Sequence, residues 1–443
     1  MNTVPVIESF VWQPQFECLP QNELRALQAR RLRETIARVA HVPFYREAFA
    51  KAKISPESIR TVDDIRRLPF TTKEDLRNHY PLGFLAVPRS EVVRYHGSSG
   101  TTGRPTFVAY TRKDLETWSD LTARFLTACG MTRDQTVQVS FGYGLFTGGF
   151  GLHYGIERVG AGVIPVGSGN TDKQLMILQD MAVDALICTP SYALKLAETM
   201  RERGLVGKLP LKFAQLGGEP WTEDMRVAIE KTGGFLCFNN YGLSEVMGPS
   251  VSGECAYRNG MHIQEDAFVF EVLDPKTLEP VPDGEYGEIV ITALVKEAFS
   301  LIRYRTRDIG RIIPDGPCPC GRTTRRMSRI IGRSDDMLII RGVNVYPSEV
   351  ETALLRVEGA TPNYQIEVTR PGALDQVTVR VEMSPEVFSD QMTDMLELKR
   401  RIHAAVQSVT GLSMNIELVS PKTLERFEGK AKRVIDRRNL NHE

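Results

Sequence analysis

Short apolar runs alternate with helical stretches between about residues 90 and 240, and this alternation restricts the fold more than any other feature. Short apolar runs predict buried strands, and apolar side chains at helical spacing predict helices between them. Such alternation predicts βαβ units and a mostly parallel sheet. The predicted strands are Val137–Phe141, Val163–Val166, Ala185–Cys188 and Phe213–Leu216, and the predicted helices are Asp172–Met181 and Tyr192–Arg203.

The residues on either side of this region have different hydrophobic patterns. The N-terminal part predicts a helix over Asn22–Ala40, which Pro43 prevents from continuing. A second helix is predicted to begin at Thr71, with Glu74 three residues later completing a capping box. After residue 260, a β-rich subregion is predicted from the shorter strands Phe268–Leu273, Gly287–Leu294 and Arg311–Ile313.

A further change near residue 335 predicts a second domain. Its pattern is that of an α+β unit of roughly a hundred residues. The expected fold is therefore α/β, with a large N-terminal domain over residues 1–334, including the β-rich subregion, and a small α+β domain over residues 335–443. The elements predicted in the small domain are helices at Ser348–Val357 and Phe388–Val409 and strands at Tyr364–Thr369, Gln376–Met383 and Asn415–Leu418.

Composition excludes several classes of protein. The 55 basic residues balance 55 acidic ones, which argues against a nucleic-acid binder that relies on a broad basic surface. No stretch approaches the roughly 20 consecutive apolar residues of a membrane helix, and the N-terminus does not resemble a signal peptide. Seven cysteines in 443 residues are too sparse for a disulfide scaffold and suit a reducing cytoplasm. These observations predict a large cytoplasmic enzyme without nucleic-acid or membrane partners.

The strongest local motif is the glycine-rich stretch Tyr95–Pro105, which reads YHGSSGTTGRP. Glycines allow successive backbone N–H groups to point into one concavity, and hydroxyl side chains add donors, so the loop suits a phosphate group. The common P-loop pattern GxxxxGK[ST] is absent. From the residues alone, a polar surface loop remains an equal alternative.

Four other segments contain candidate catalytic or ligand-binding residues, although each residue also has an ordinary structural explanation. Glu245 could hold a metal ion or be a surface carboxylate, and Asp308 could bind two ribose hydroxyls or pair with Arg305. Arg333 could contact ribose or phosphate, or be a solvated charge. Lys430 follows a glycine and lies in a basic tail, which is usually a solvated surface.

The order and spacing of these segments resemble those of adenylate-forming enzymes, and within them the phenylacetate–coenzyme A ligase family. The resemblance covers nearly the whole chain and implies that ATP and coenzyme A are used. The segments that support it are SSGTTGRP (98–105), GYGLFTGG (142–149), GGEPWT (217–222), NYGLSEVMGP (240–249), RYRTRD (303–308), GRSDDMLIIRGVNVYPSEVE (332–351) and EGKAKRVIDRR (428–438).

The resemblance implies a role for each matching residue of the nucleotide site. Glu245 would bind Mg²⁺, Ser244 would lie by the α-phosphate, and Tyr241 would stack on adenine. Asp308 would hold the ribose hydroxyls with Arg333 beside it, and Gly217–Pro220 would form a wall of the adenine site. The implied ATP- or AMP-binding residues are Ser98, Ser99, Gly100, Thr101, Thr102, Gly103, Gly218, Glu219, Pro220, Asn240, Tyr241, Gly242, Asp308 and Arg333.

The C-terminal matches imply a reaction in two steps. Lys430 matches the lysine that enters the site for adenylation, where a cation stabilises charge on the bridging oxygens. Thioester formation then requires a path for coenzyme A. The family provides this path by rotating its small, mobile domain about a hinge that matches Asp335, and Gly342 would line the pantetheine tunnel.

The segment 142–149 mixes aromatic residues with glycines, a composition that suits a flat apolar ligand. We expect Tyr143 and Phe146, with Gly148, to contact an aromatic acid. Ordinary core packing of both rings is the alternative. The sequence leaves phenylacetate, hydroxylated or amino benzoates and indoleacetate open.

Three cysteines and a histidine form a possible structural zinc site that many phenylacetate ligases lack, while other subgroups of the family have a similar quartet. The residues are Cys255, His262, Cys318 and Cys320. Three thiols and one imidazole could complete a tetrahedral Cys₃His site. The alternative is four unrelated surface residues.

Three functions remain open on the sequence. The first is ATP-dependent ligation of an aromatic acid to coenzyme A. The second is adenylyl transfer without thioester chemistry, and the third is a non-catalytic protein that binds an aromatic acid. The presence of Glu245, Asp308, Arg333 and Lys430 disfavours the third. A homodimer is also left open.

Overall fold

The chain forms two compact units. A computed structural model describes residues 7–98, 105–314, 316–334, 338–340, 343–371, 375–384, 392–425 and 433–438. The first unit comprises Met1–Thr189, Gly207–Gly218 and Phe235–Arg329, and the second comprises Pro190–Val206, Glu219–Gly234 and Ile330–Glu443. The domain boundary predicted at Asp335 lies outside the described residues and stays a prediction.

The helices within the described ranges are numbered in chain order. Short 3₁₀ turns occur at Pro56–Ser58, Val62–Arg67 and Arg89–Glu91. The α-helices are α1 (Pro14–Glu17), α2 (Gln21–Val39), α3 (Pro43–Lys51), α4 (Lys73–Asn78), α5 (Arg112–Ala128), α6 (Thr147–Val159), α7 (Thr171–Asp180), α8 (Pro190–Glu202), α9 (Glu223–Gly233), α10 (Pro347–Leu355) and α11 (Met392–Thr410).

The strands are numbered in the same way. They are β1 (Arg94–Gly97), β2 (Phe107–Tyr110), β3 (Thr136–Val139), β4 (Gly162–Ile164), β5 (Ala185–Cys188), β6 (Phe213–Leu216), β7 (Leu236–Leu243), β8 (Gly248–Glu254), β9 (Met261–Ile263), β10 (Phe268–Leu273), β11 (Gly287–Ala293), β12 (Tyr304–Gly310), β13 (Ile312–Ile313), β14 (Arg326–Met327), β15 (Gly332–Arg333), β16 (Leu338–Ile340), β17 (Val343–Val345), β18 (Ala360–Thr369), β19 (Gln376–Met383), β20 (Asn415–Val419) and β21 (Val434–Asp436).

A nine-stranded sheet is the frame of the first unit. Its order is β13-β14-β9-β8-β7-β6-β5-β3-β4. The strands from β4 to β7 are parallel, as the βαβ pattern predicts, and those from β7 to β13 are antiparallel. The strands β10, β11 and β12 form an antiparallel meander, which confirms the predicted strands at Phe268–Leu273 and Gly287–Leu294. The strand predicted at Arg311–Ile313 is β13, which belongs to the nine-stranded sheet instead.

The central parallel strands are deeply buried. Residues Ala185–Cys188 and Phe213–Leu216 are fully buried, as expected for strands covered on both faces. Phe213 and Phe238 meet edge to face within the core, with ring centroids 5.9 Å apart. Because β6 and β7 are adjacent and parallel, the residues that follow them lie at one edge of the sheet.

The predicted start of α4 is wrong by one residue. Thr72, not Thr71, is the N-cap, and its partner in the capping box is Asp75 rather than Glu74. Thr71 is instead paired as a short bridge, since its N–H donates to the carbonyl of Arg303 and its carbonyl accepts from the N–H of Arg305. These long-range backbone bonds hold Thr71 extended, so the helix begins one residue later.

The second unit contains an α+β core, as predicted. Its four-stranded sheet has the order β20-β19-β18-β21, with β18 and β19 antiparallel and both edge strands parallel to their neighbours. The hairpin of β16 and β17 and the helices α10 and α11 contribute to the same apolar cluster. The fully buried members of the cluster include Val345, Val350, Leu354, Ile366, Val379, Leu398 and Ile402.

Among the described residues, none of the helices combines the length and the hydropathy that crossing a bilayer would require.

Candidate active site

The glycine-rich loop is closed by a hairpin. Strands β1 and β2 pair antiparallel, and Gly97 lies opposite Phe107 at the mouth of the loop. Ser98 is buried, and its N–H donates to the carbonyl of Thr106 over 3.0 Å. Its Oγ has no hydrogen-bond partner among the described residues. Ser99, Gly100, Thr101, Thr102 and Gly103 lie outside the described residues.

The predicted adenine-side residues of the first unit meet where β6 and β7 end. The Asn240 side-chain amide donates to the carbonyl of Leu216 over 3.0 Å, and a Cβ added to Gly217 would lie 2.8 Å from that amide. Gly218 has a φ of +85°, which favours glycine. A Cβ on Gly242 would lie only 1.9 Å from the carbonyl oxygen of Gly248, so this corner excludes any side chain there.

Tyr241 and Asp308 are joined directly. The Tyr241 hydroxyl donates to an oxygen of the Asp308 carboxylate over 2.7 Å. Asp308 lies on β12 and Tyr241 on β7, so the contact brings residues of two different sheets of the first unit together. A carboxylate fixed in this way retains acceptor capacity for further hydroxyl donors.

Ser244 and Glu245 lie in the turn between β7 and β8, and each has a partner that the sequence did not suggest. The Ser244 hydroxyl is 2.7 Å from the Thr147 hydroxyl at the start of α6. The buried Glu245 carboxylate is 3.5 Å from Nζ of Lys73, in the first turn of α4. One buried carboxylate with a loosely paired cation suits Mg²⁺, which usually takes one or two carboxylates together with substrate phosphates.

The predicted acid-pocket residues lie close together. The Tyr143 hydroxyl is 3.2 Å from Nδ1 of His153, and the Tyr143 ring meets Phe150 edge to face at 5.2 Å. A Cβ on Gly148 would be 2.8 Å from the Phe146 ring, so glycine makes room for that ring. Both predicted rings are partly buried and pack against the core of the first unit. Core packing is therefore observed, while contact with an acid stays a prediction.

A buried histidine holds this pocket segment against β1. The Nδ1 atom of His96 is 3.1 Å from the carbonyl of Leu145, which also accepts the N–H of Gly97 over 2.9 Å. A carbonyl partner makes Nδ1 the protonated nitrogen in a neutral ring. Burial lowers the pKa of His96 to about 4, although the hydrogen bond to Leu145 opposes the shift.

Other predicted site residues belong to the second unit or lie outside the described residues. Glu219 and Pro220 are in the second unit, where the Glu219 carboxylate accepts the N–H of Ser191 over 2.7 Å. Arg333 is half-buried on β15. The adenylation lysine, the hinge and the tunnel residue lie outside the described residues; they are Lys430, Asp335 and Gly342.

The structure brings the cysteine and histidine quartet together. The four ligand atoms of Cys255, His262, Cys318 and Cys320 all lie within 4.8 Å of one another. Cys255 Sγ is 3.6 Å from Cys318 Sγ, and Cys320 Sγ is 3.3 Å from Nε2 of His262. A disulfide needs about 2.05 Å, whereas a tetrahedron with Zn–S bonds of about 2.3 Å has edges of about 3.8 Å.

The surroundings of the quartet also suit a metal. Nδ1 of His262 is 3.3 Å from the Thr324 hydroxyl, which leaves Nε2 directed toward the thiols. Cys255 follows β8, His262 lies on β9, and the other two cysteines lie between β13 and β14. A metal ion here would join three neighbouring segments of the antiparallel half of the sheet.

The fold, with its glycine-lined corner where β6 and β7 end, is that of an AMP-binding enzyme. Residues 61–293 match the AMP-binding enzyme family, and residues 342–438 match the AMP-binding enzyme C-terminal domain. The phenylacetate–coenzyme A ligase of Thermus thermophilus is 46% identical over 97% of this chain and 100% of its own length. That of Escherichia coli is 45% identical over 95% of this chain and 96% of its own. The chain belongs to the phenylacetate–coenzyme A ligase family.

Solved structures agree with this assignment. The structure of 2-hydroxyisobutyryl-CoA ligase in the postadenylation state with 2-HIB-AMP has a TM-score of 0.92 and 31% identity, covering 99% of this chain and 95% of that one. A benzoate CoA ligase from Burkholderia xenovorans LB400 has a TM-score of 0.60 at 18% identity, covering 79% and 69% of the two chains, and shows the fold alone. The predicted adenylate-forming fold is confirmed.

The buried His96 predicts an acid-sensitive contribution to stability. The unfolded chain protonates this histidine below about pH 6.5, whereas the folded protein does so only near pH 4. The contribution is therefore complete above pH 6.5 and falls as the pH drops toward 4. We expect urea unfolding to show a smaller stability difference between the wild type and His96→Gln at pH 5 than at pH 7. An equal difference at both pH values would contradict a neutral, buried His96.

Proposed function

We propose that the protein ligates an aromatic carboxylic acid to coenzyme A through an acyl-adenylate, releasing AMP and pyrophosphate. Phenylacetate or a related aryl acid is the proposed substrate, in keeping with the names of the relatives. A cytoplasmic location is part of the proposal because no disulfide joins the seven cysteines, all of which lie within the described residues. A homodimer stays a prediction.

The observation that supports the proposal is that residues predicted for the nucleotide site and for the acid pocket lie in contact in the first unit. Tyr241, which bonds to Asp308, lies on β7, the strand that leads into Ser244 and Glu245. The hydroxyl contact between Ser244 and Thr147 then joins this turn to the end of the pocket segment 142–149. A phosphate near Ser244 would therefore lie beside the carboxylate of an acid held in that segment.

The first half-reaction follows from this placement. An acid carboxylate oxygen attacks the α-phosphorus of ATP, and the bond from that phosphorus to the oxygen bridging to the β-phosphate breaks, so pyrophosphate leaves. Ser98 and its loop would hold the phosphates through N–H and hydroxyl donors. Mg²⁺ bound at Glu245 would supply positive charge to the phosphate oxygens. Because Glu245 is buried, little water surrounds its carboxylate, and charge interactions there are stronger than in bulk water.

The second half-reaction forms the thioester. The thiolate of coenzyme A attacks the carbonyl carbon of the acyl-adenylate, and AMP leaves with the bond between that carbon and the phosphate oxygen broken. We propose that Lys430 serves only the first half-reaction, that Gly342 lines the path of coenzyme A, and that Asp335 is the hinge between the two steps.

We also propose that the quartet of Cys255, His262, Cys318 and Cys320 binds one zinc ion. All four ligand positions are filled by protein atoms, so the ion would be structural rather than catalytic. Its contribution would be to stabilise the antiparallel half of the large sheet, because binding to the folded state alone lowers the free energy of that state.

The proposed reaction predicts exchange of pyrophosphate into ATP that requires an aromatic acid. A panel of phenylacetate, benzoates carrying hydroxyl or amino groups, and indoleacetate should show one strongly preferred acid, and coenzyme A should then be consumed in proportion to AMP. Transfer of AMP to a hydroxyl compound without coenzyme A would contradict the ligase, and binding of an acid without any exchange would indicate a binding protein.

Replacing Lys430 with Ala should separate the two half-reactions. Loss of one preorganised cation at developing charge costs on the order of 10²–10³ in rate, so acid-dependent pyrophosphate exchange should fall by that factor. Thioester formation from supplied acyl-adenylate should be spared. Lys422→Ala is the matched control, since Lys422 is an exposed lysine of the same basic tail. Equal losses in both half-reactions would contradict the proposed role.

The zinc proposal predicts one equivalent of zinc per chain after purification without chelators. Cys320→Ser should lose the metal and lower the unfolding temperature, because three ligands hold zinc less tightly than four. Cys188→Ala is the matched control, because Cys188 is a buried cysteine on β5, and this variant should keep a full equivalent. Elemental analysis checks both variants, and less than about a tenth of an equivalent in the wild type would rule out the site.

A further inference from the structure

Lys296 is a buried cation to which the reaction described above assigns no role. It lies between β11 and β12, its side chain is 0% exposed, and Nζ has no hydrogen-bond partner among the described residues. Burying an unpaired ammonium group is costly, so an apolar side chain of similar length would fill this space at lower free energy. The cation therefore calls for an explanation beyond packing.

The surroundings of Lys296 are aromatic and acidic. Its Nζ lies 4.1 Å from the centroid of the Tyr110 ring and 5.8 Å from that of Phe299, within the range of cation–π attraction. Burial lowers the pKa of Lys296 to about 7, while the charges of Asp114 and Glu245 hold it up. No ion pair within 4.0 Å joins Nζ to either carboxylate in the described part of the chain. Lys296 therefore leaves the oxygens of Glu245 uncovered.

Asp114 fixes the backbone beside Lys296. Its buried carboxylate accepts the N–H groups of Glu297 over 2.6 Å and Ala298 over 3.0 Å. The same carboxylate accepts the N–H of Thr111 over 2.9 Å, in the capping box that begins α5. Since Thr111 directly follows Tyr110, one carboxylate sets the distance between the Lys296 segment and the Tyr110 ring.

The contacts continue from Tyr110 to the turn that carries Glu245. The Tyr110 and Trp118 rings are stacked, with centroids 5.0 Å apart and planes 14° apart. The Trp118 indole fills the space beside Gly248, where an added Cβ would lie 2.4 Å from Cζ2. Gly248 has a φ of +97° and pairs with Leu243 across the turn that contains Glu245. The stack therefore supports one side of that turn.

We propose that Lys296 is a positioning residue for magnesium–ATP, which acts by holding the Tyr110–Trp118 stack against the turn that contains Glu245. The proposal rests on the proposed function of Glu245 as the magnesium ligand. The ammonium group attracts the face of the Tyr110 ring, and the stacked Trp118 ring transmits that restraint to Gly248 beside the turn. An apolar side chain that only filled the space would not attract the ring in this way.

The test is a Mg²⁺ titration with a non-hydrolysable ATP analogue, α,β-methylene-ATP, followed by calorimetry. Lys296→Met keeps the length of the side chain and removes its charge. Supporting residues around a metal ligand typically contribute 10–100-fold to metal affinity, so the Mg²⁺ midpoint should rise by about tenfold or more. Lys113→Met is the matched control, because Lys113 is an exposed lysine on α5 that pairs with Glu297, and its midpoint should not change.

A purely structural role would give a different result. It would lower the unfolding temperature of Lys296→Met and leave the Mg²⁺ midpoint at the wild-type value, which would overturn the proposal. Should Lys296→Met fail to fold, Trp118→Phe provides the second test. It withdraws the indole edge from Gly248 and leaves the cation in place, and an unchanged Mg²⁺ midpoint in this variant would also overturn the proposal.

Glu245→Gln distinguishes this inference from the proposed function on which it rests. If the Mg²⁺ midpoint of Glu245→Gln equals that of the wild type, the magnesium role of Glu245 and the proposal for Lys296 fail together. If Glu245→Gln weakens Mg²⁺ and Lys296→Met does not, only the proposal for Lys296 fails. A rise in both variants supports it.

Discussion

The buried carboxylate of Asp114 is the constraint on which the arrangement of the first unit depends. It accepts backbone N–H groups from the start of α5 and from the segment between β11 and β12, which are more than 180 residues apart in the chain. These three N–H donors compensate the Asp114 carboxylate for the hydration that it loses on burial. Asp114 therefore fixes the position of the Lys296 segment relative to α5 and to the hairpin of β1 and β2 that precedes α5.

The sequence predicted those parts of the fold whose signals are local. The strands Ala185–Cys188, Phe213–Leu216, Phe268–Leu273 and Gln376–Met383 were predicted with the bounds observed, because apolar runs, or apolar residues at alternate positions in Gln376–Met383, mark them directly. Apart from the strand at Arg311–Ile313, which corresponds to β13, the antiparallel half of the nine-stranded sheet was not predicted. Its strands β9, β13 and β14 have only two or three residues, and pairing such as that of Arg326 with His262 comes from distant parts of the chain.

The site was predicted in the same uneven way. The family motifs located Tyr241, Asp308 and Ser244, and the residue types alone located the cysteine and histidine quartet, whose members the structure brings together. It missed Lys73, because nothing in the first turn of a short helix indicates that its side chain reaches Glu245, 172 positions later. The same reason explains the misplaced cap at Thr71, since its pairing with Arg303 and Arg305 is visible only in three dimensions.

The segment of residues 142–149 has a consequence for engineering. Its rings, Tyr143 and Phe146, are partly buried and pack against the core, whereas Thr147 bonds to Ser244 and Gly148 makes room for Phe146. Under the proposed acid-pocket role, side-chain libraries at 143 and 146 would change which acid is accepted while 147 and 148 stay constant. At Gly242, by contrast, any side chain would collide with the carbonyl oxygen of Gly248, so library members with a substitution there would misfold before their selectivity could be screened.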